Sequence, residues 1–213
     1  MSGVKNWYLE EKNKRTLASL EKNGFKTLYM ATKREAADEV LKLIPKGVLV
    51  GVGGSMTVRE LGLVEALIRR GNEVAQHWQA GLSEEERMVA RRRQLTSDVF
   101  LTSSNAITEG GQLVNIDGAG NRVAAMIFGP KKVIVVAGAN KIVKDLNEAL
   151  ERVRKVAAPM DARRLNLKTP CAVSGVCTDC DAPDRICRVT TIMDRKPLKT
   201  DITVVLVGEE LGY

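Results

Sequence analysis

The sequence predicts an α/β layer sandwich built on a largely parallel sheet. Short apolar runs alternate with amphipathic runs of helical period, joined by short connections, which is the pattern of successive strand–helix units. The 213 residues suffice for one full-sized core. Hydrophobic residues make up 44% but aromatics only 4%, so that core must be mostly aliphatic. A glycine-rich, β-prone middle argues against a purely doubly wound arrangement. We therefore expect a single domain over 1–213, with an N-terminal helix over 3–22 and a cysteine-bearing insertion over 169–188.

Taken in order, residues 3–22 read as a helix, with Trp7, Leu17 and Leu20 as buried contacts and Gly24 as its stop. Phe25–Met30 alternates like a short strand. Thr32 and Glu35 form a capping box for a helix whose Ala36, Val40, Leu41 and Ile44 share one face before Pro45. Val48–Val50 then runs into Gly51-Val-Gly-Gly-Ser-Met-Thr57, which reads as strand, glycine turn and helix start. Such a turn aims backbone N–H groups at one spot and suits an anion. It matches neither the GxxxxGK[ST] nor the GxGxxG pattern, and glycines there can equally serve close packing. The following helix is expected over about 56–70, with Leu61, Val64, Leu67 and Ile68 inward, and Glu73–Ala75 as a strand.

Ser83 and Glu86 form a second capping box, for a helix reaching Leu95; Asp98–Thr102 is the next strand. Residues 105–115 and 117–128, punctuated by glycines, suggest hairpins. Lys132–Ala137 is an apolar strand, and a helix is expected from Asn140 through Val156. Regular pattern then lapses until the strands Val189–Met193 and Ile202–Val207.

The formal net charge is +7 and the isoelectric point about 9.3. The basic residues are spread along helices without interleaved aromatics, so the charge favours a pocket for a small anion over nucleic acid. Acids at the start of the 83–95 helix and Arg91-Arg92-Arg93 at its end compensate the helix dipole without a partner. The longest apolar runs are far too short to cross a membrane, and no charged-then-apolar leader opens the sequence. A cytoplasmic location is expected.

Four cysteines fall close together, spaced C-x5-C-x2-C-x6-C: Cys171, Cys177, Cys180 and Cys187. Disulfides are scarce in reducing compartments, and Cys177-x-x-Cys180 has chelating spacing. The outer two could complete a four-sulfur shell for zinc or an iron–sulfur cluster, between which the spacing does not choose. Free or redox-paired thiols are the alternative.

Thr102–Gly111 continues past a strand's carboxyl end, where α/β sheets place ligand crevices. Gly53, Gly54, Ser55 and Thr57 of the glycine turn, with Asn105, Asp117, Asn121 and Arg122, are the candidate ligand contacts. Glu109 and His77 are the candidates for chemistry, as acid/base groups or, for Glu109, as a nucleophile. Asp117-Gly118 and Gly120-Asn121 also fit ordinary turns. With one histidine and no serine elbow, a hydrolase triad lacks support.

Several ordered segments resemble the lactate utilization (LUD) domain family: Gly51–Thr57, Asp98–Glu109, Gly118–Val123, Phe128–Val133 and Asn140–Val143. Thr169–Cys180 with Arg185-Ile-Cys187 resembles its short, single-domain branch carrying four cysteines. The resemblance implies a three-layer sandwich related to ribose-5-phosphate isomerase, glucosamine-6-phosphate deaminase and the CoA-transferases. It implies a crevice over the glycine turn holding a carboxylate, phosphate or CoA-type ligand, with Asn105 and Glu109 beside it. Glu109 would be the counterpart of the glutamate nucleophile of CoA-transferases. Other lactate-utilization proteins are the implied partners, and a homodimer is compatible with it. The alternative is a non-catalytic accessory or redox-sensing component whose working part is the cysteine site.

Overall fold

A computed structural model describes residues 2–213. In chain order, α1 (Ser2–Lys22) leads to β1 (Lys26–Met30), α2 (Lys33–Leu43) and β2 (Leu49–Val52). Two short helices, α3 (Met56–Glu60) and α4 (Leu63–Arg69), precede β3 (Glu73–Ala75), α5 (Glu84–Leu95) and β4 (Val99–Thr102). The strands β5 (Ala106–Thr108) and β6 (Leu113–Asp117) are followed by α6 (Asn121–Ile127) and β7 (Lys132–Gly138). Then come β8 (Ile142–Val143), α7 (Leu146–Arg152), α8 (Ala158–Arg164), α9 (Pro170–Ser174), β9 (Val189–Met193) and β10 (Asp201–Val207).

Six strands form one parallel sheet in the order β1-β10-β7-β4-β2-β3. Its central strands are apolar at nearly every position because both faces are covered. One face buries Val50, Val52, Leu101, Ile134 and Val136 against α2, α3 and α4. The opposite face buries Phe100, Val133, Val135 and Val204 against Leu20 of α1 and Ala125 and Met126 of α6. Ile107, Leu113 and Met193 join that second layer from a smaller sheet, β8-β5-β6-β9. Helices, sheet and this mixed layer make the predicted three-layer sandwich. The outer side of the small sheet is capped by α7 through Ala106, Val114, Ala149 and Val153.

Both capping boxes form, Thr32 with Glu35 and Ser83 with Glu86. Four expectations are corrected. Trp7 is 60% exposed rather than buried, because α1 meets the core only through its later turns, down to Leu20. The 56–70 helix breaks at Gly62, whose φ of +62° is left-handed, and the break leaves Ile68 facing outward. Residues 117–128 form no hairpin, since β6 ends at Asp117. Beyond Gly120 they turn into α6, because Val123, Ala125 and Met126 bury a helical face. The stretch from Asn140 is a short 3₁₀ turn and then β8. Its helix starts only at Leu146, after the Asp145 cap, and passes through a π-helical turn at Val153–Ala157 into α8.

Candidate functional site

In a parallel sheet all carboxyl ends point the same way, so the residues just after each strand gather on one edge. Here they enclose a cleft of about 300 Å³. Gly54 and Ser55 follow β2, His77 follows β3, and Ser103 to Asn105 follow β4. Lys141 follows β7, while Asp117, Asn121 and Arg122 enter from the β6–α6 connection.

The glycine turn is partly steric. A Cβ on Gly53 would lie 2.9 Å from Thr102 Oγ1 and 3.2 Å from Arg122 Cγ, so glycine lets the guanidinium stem cross the strand end. A Cβ on Gly54 would lie 3.8 Å from His77 Nε2, in ordinary contact with the ring. Ser55 spends its side-chain oxygen capping α3, accepting from the Val58 amide at 3.3 Å. Thr57 is buried beneath the cleft, not on its wall. With α3 only five residues long, the turn supplies walls more than a helix dipole.

Arg122 ties the floor together. It donates to the Ser103 carbonyl at 3.2 Å, Asn105 Oδ1 at 2.8 Å and the Ile116 carbonyl at 3.0 Å, and pairs with Asp117 at 2.6 Å. The second Asp117 oxygen accepts from the Val123 amide at 3.0 Å. Asn105 Oδ1 also accepts from the Ile116 amide at 3.0 Å. These groups all line the cleft, but most of their hydrogen-bonding capacity holds its wall together.

His77 is fixed from behind. Gln94 accepts from Asn121 at 3.0 Å, so its amide nitrogen points at the Val52 carbonyl (2.9 Å) and at His77 Nδ1 (3.0 Å). Nδ1 is then the acceptor and Nε2, beside Gly54, carries the proton. Burial, followed by Arg91, Arg59 and Arg87, lowers the histidine pKa to about 4. A neutral ring whose Nε2–H faces the cleft can serve as a hydrogen-bond donor rather than a base. Trp78 lies edge-on to the ring at 5.3 Å and under Arg59 at 4.9 Å. Glu109 is not in the cleft: it sits at the end of β5, pairs with Arg15 at 3.3 Å and bonds β8 through its amide. The structure does not join it to the glycine turn.

Sequence reasoning missed most of the cations. Arg59, Arg87, Arg91, Arg122, Lys141 and Arg164 line the cleft against two carboxylates, Asp117 and Asp161. Those carboxylates are already paired, with Arg122 and Arg164. The Nε atoms of Arg59 and Arg91 are buried without a hydrogen-bond partner among the described residues. Lys141 is 2% exposed, and burial with Arg152 and Arg122 nearby brings its pKa down to about 7. Two signals were available: Arg87 and Arg91 stand one turn apart on α5, and Lys141 follows a strand of the parallel sheet.

The four cysteines are free thiols that line one small cavity behind the cleft, against α8. Arg185 braces their loop through the Cys180 carbonyl at 2.7 Å and the Cys187 carbonyl at 3.0 Å. Among the described residues no three His, Cys, Asp or Glu side chains are gathered tightly enough to hold a metal ion. Ile186 belongs to both cavities, so one residue separates the thiols from the cleft.

The family model for the LUD domain matches residues 13–207. The chain belongs to the LUD domain family. Membership relates this LUD protein to lactate utilization in the broad sense. A crystal structure of a DUF162 family protein from Deinococcus radiodurans shares its fold, with a TM-score of 0.55 at 14% identity, over 94% of this chain and 98% of that one. No curated protein matches. Among the described residues no helix is long and apolar enough to cross a membrane.

Proposed function

We propose that this LUD protein binds a small anionic metabolite, a carboxylate or a phosphate ester or CoA-type ligand, in the strand-end cleft and acts in cytoplasmic organic-acid metabolism. The observation that carries this is the imbalance of charge. With both carboxylates paired, Arg59, Arg87 and Lys141 have no acidic partner among the described residues, and Arg91 has only the exposed Glu84, at 2.8 Å and outside the cleft. Buried guanidinium nitrogens without partners are costly unless a ligand supplies acceptors. His77 Nε2–H, Asn121 and the Gly54 turn would orient the ligand, and Trp78 would stack Arg59 over it. Lactate-utilization proteins, or a second copy of this chain, are the partners that fit this reading.

A thermal-shift series with lactate, pyruvate, sugar phosphates and CoA esters at about 1 mM tests it. A ligand present at about 100 times its Kd adds about 2.7 kcal/mol of stability. Stabilisation should vanish in Arg59→Met and Arg91→Met. A flat response to every anion would reject the reading.

A second reading, of a redox or accessory role, is favoured by the convergence of four free thiols on one cavity. A rearrangement of the 176–187 loop towards Cys171 would be needed to gather them on zinc or on an iron–sulfur cluster, either of which binds thiolates. Metal analysis and visible absorption of protein purified without oxygen distinguish the two. Colourless protein without zinc would leave thiol redox chemistry alone in that role.

A further inference from the structure

The nitrogen of Lys141 is held in an unusual way for a buried lysine. Nζ donates to Thr57 Oγ1 and to Ser103 Oγ, each at 2.9 Å. Both hydroxyls spend their own protons on carbonyls, Thr57 on Leu211 and Ser103 on Ser104, each at 3.3 Å. They therefore meet the amine with lone pairs, and two N–H directions are fixed. Besides its bond to Cε, a tetrahedral nitrogen has one position left. No carboxylate pairs with it among the described residues, and Arg152 and Arg122 oppose its charge more than Asp161 and Glu60 favour it. Lys141 lines the cleft, and a ligand seated against its nitrogen there would take the remaining position. In an ammonium ion that position is a third N–H; in a neutral amine it is a lone pair.

We propose that Lys141 is a reactive amine of the cleft, condensing with a small carbonyl compound that carries a carboxylate or a phosphate to form an imine. The proposal rests on the anion-binding reading of the same cleft, because the arginines supply the selection for charge. It names the substrate class as an anionic aldehyde or ketone. Attack by the lone pair forms the N–C bond and breaks the carbonyl π bond. A proton given up by nitrogen goes to the carbonyl oxygen. The resulting hydroxyl then departs with a second proton from nitrogen as water, while the C=N bond forms. Nothing is oxidised or reduced and no co-reactant is required. Thr57 and Ser103 are positioning residues, since they aim the nitrogen without meeting the carbonyl carbon. Burial and the two arginines keep a large share of the amine neutral near pH 7, as the step needs.

Trapping the imine in the whole wild-type chain tests this without any variant. The protein is incubated at pH 7 with cyanoborohydride and either pyruvate or dihydroxyacetone phosphate, and each lysine adduct is mapped by mass spectrometry. The neutral counterparts, pyruvamide and dihydroxyacetone, run in parallel. The expected result is labelling of Lys141 at least about tenfold faster than any other lysine. Labelling should be reduced by Arg91→Met and be stronger for one anionic compound than for its neutral counterpart. Pyruvate alone succeeding would mark a carboxylate site, and dihydroxyacetone phosphate alone a phosphate site. Uniform labelling of surface lysines, or equal labelling by neutral compounds, would overturn the proposal. A thermal shift with these anions but no Lys141 adduct would overturn it while the anion-binding reading stands. Neither shift nor adduct would remove both.

Discussion

His77 is held with a pKa of about 4 by burial and by Arg91, Arg59 and Arg87, against about 6.5 in an unfolded chain. Between those values the unfolded chain binds a proton that the folded one refuses. Stability is therefore unaffected above about pH 6.5 and falls as pH drops towards 4, by about 2 kcal/mol at this partly buried site. Urea unfolding of wild type and His77→Asn across pH 4.5–7 checks this, and the variant should lose that part of the slope. Lys141 has the same sign in another window. Its folded pKa of about 7 lies below the unfolded value of about 10.4, so its contribution to stability rises as pH climbs from 7 towards 10. Lys141→Met should flatten that rise, read as the difference between wild-type and variant unfolding curves at pH 7 and 9.

At the scale of elements, Asp117 ends β6 and also ties down the first turn of α6, with one oxygen on Arg122 and the other on the Val123 amide. Asp117→Asn would leave the buried Arg122 without its counter-charge. We expect a loss of about 3–5 kcal/mol, measured by chemical unfolding, with binding of anions to the remaining folded protein retained. Gly53→Ala places a methyl against Thr102 and Arg122 at the end of β2 and should cost about 1–3 kcal/mol. Elements with a local signature were legible in the sequence. The capping boxes at Thr32 and Ser83 set their helix starts, and the apolar run of β7 declared a strand covered on both sides. The errors fell where tertiary contacts override local pattern. Gly118 and Gly120 look like hairpin turns until α6 is seen to bury Met126. Ile142 fits a helical face as well as it fits β8, and only pairing with Ile107 chooses between them.

The whole molecule gathers residues from nine separated segments at one sheet edge, and that convergence decides what the sequence could reveal of the site. The glycine turn, His77, Asn105 and Arg122 were visible because each follows a recognisable strand or motif. Glu109 was visible by the same logic, yet the hairpin carries it to Arg15 and away from the cleft. Lys141 also follows a strand, but its role was not legible there because it depends on Thr57 and Ser103, which lie 84 and 38 residues away. The C-terminal segment completes that arrangement from below. Leu211 is 2% exposed within the helical-side core, its amide donates to Asn140 at 3.1 Å, and its carbonyl receives the Thr57 hydroxyl. Gly212 adds a bond to Glu60 at 3.0 Å, so β10, α3 and the turn that bears Lys141 are clamped together. Leu211→Ala removes a core side chain without touching the cleft, and should cost about 2–4 kcal/mol by chemical unfolding. Because the carbonyl of residue 211 orients Thr57, cavity collapse there should also let the Lys141 amine wander. Labelling of Lys141 by carbonyl compounds should then slow in folded Leu211→Ala, whereas Leu20→Ala, at an equally buried position in the core on the opposite face of the parallel sheet, should lower stability and leave that labelling rate unchanged.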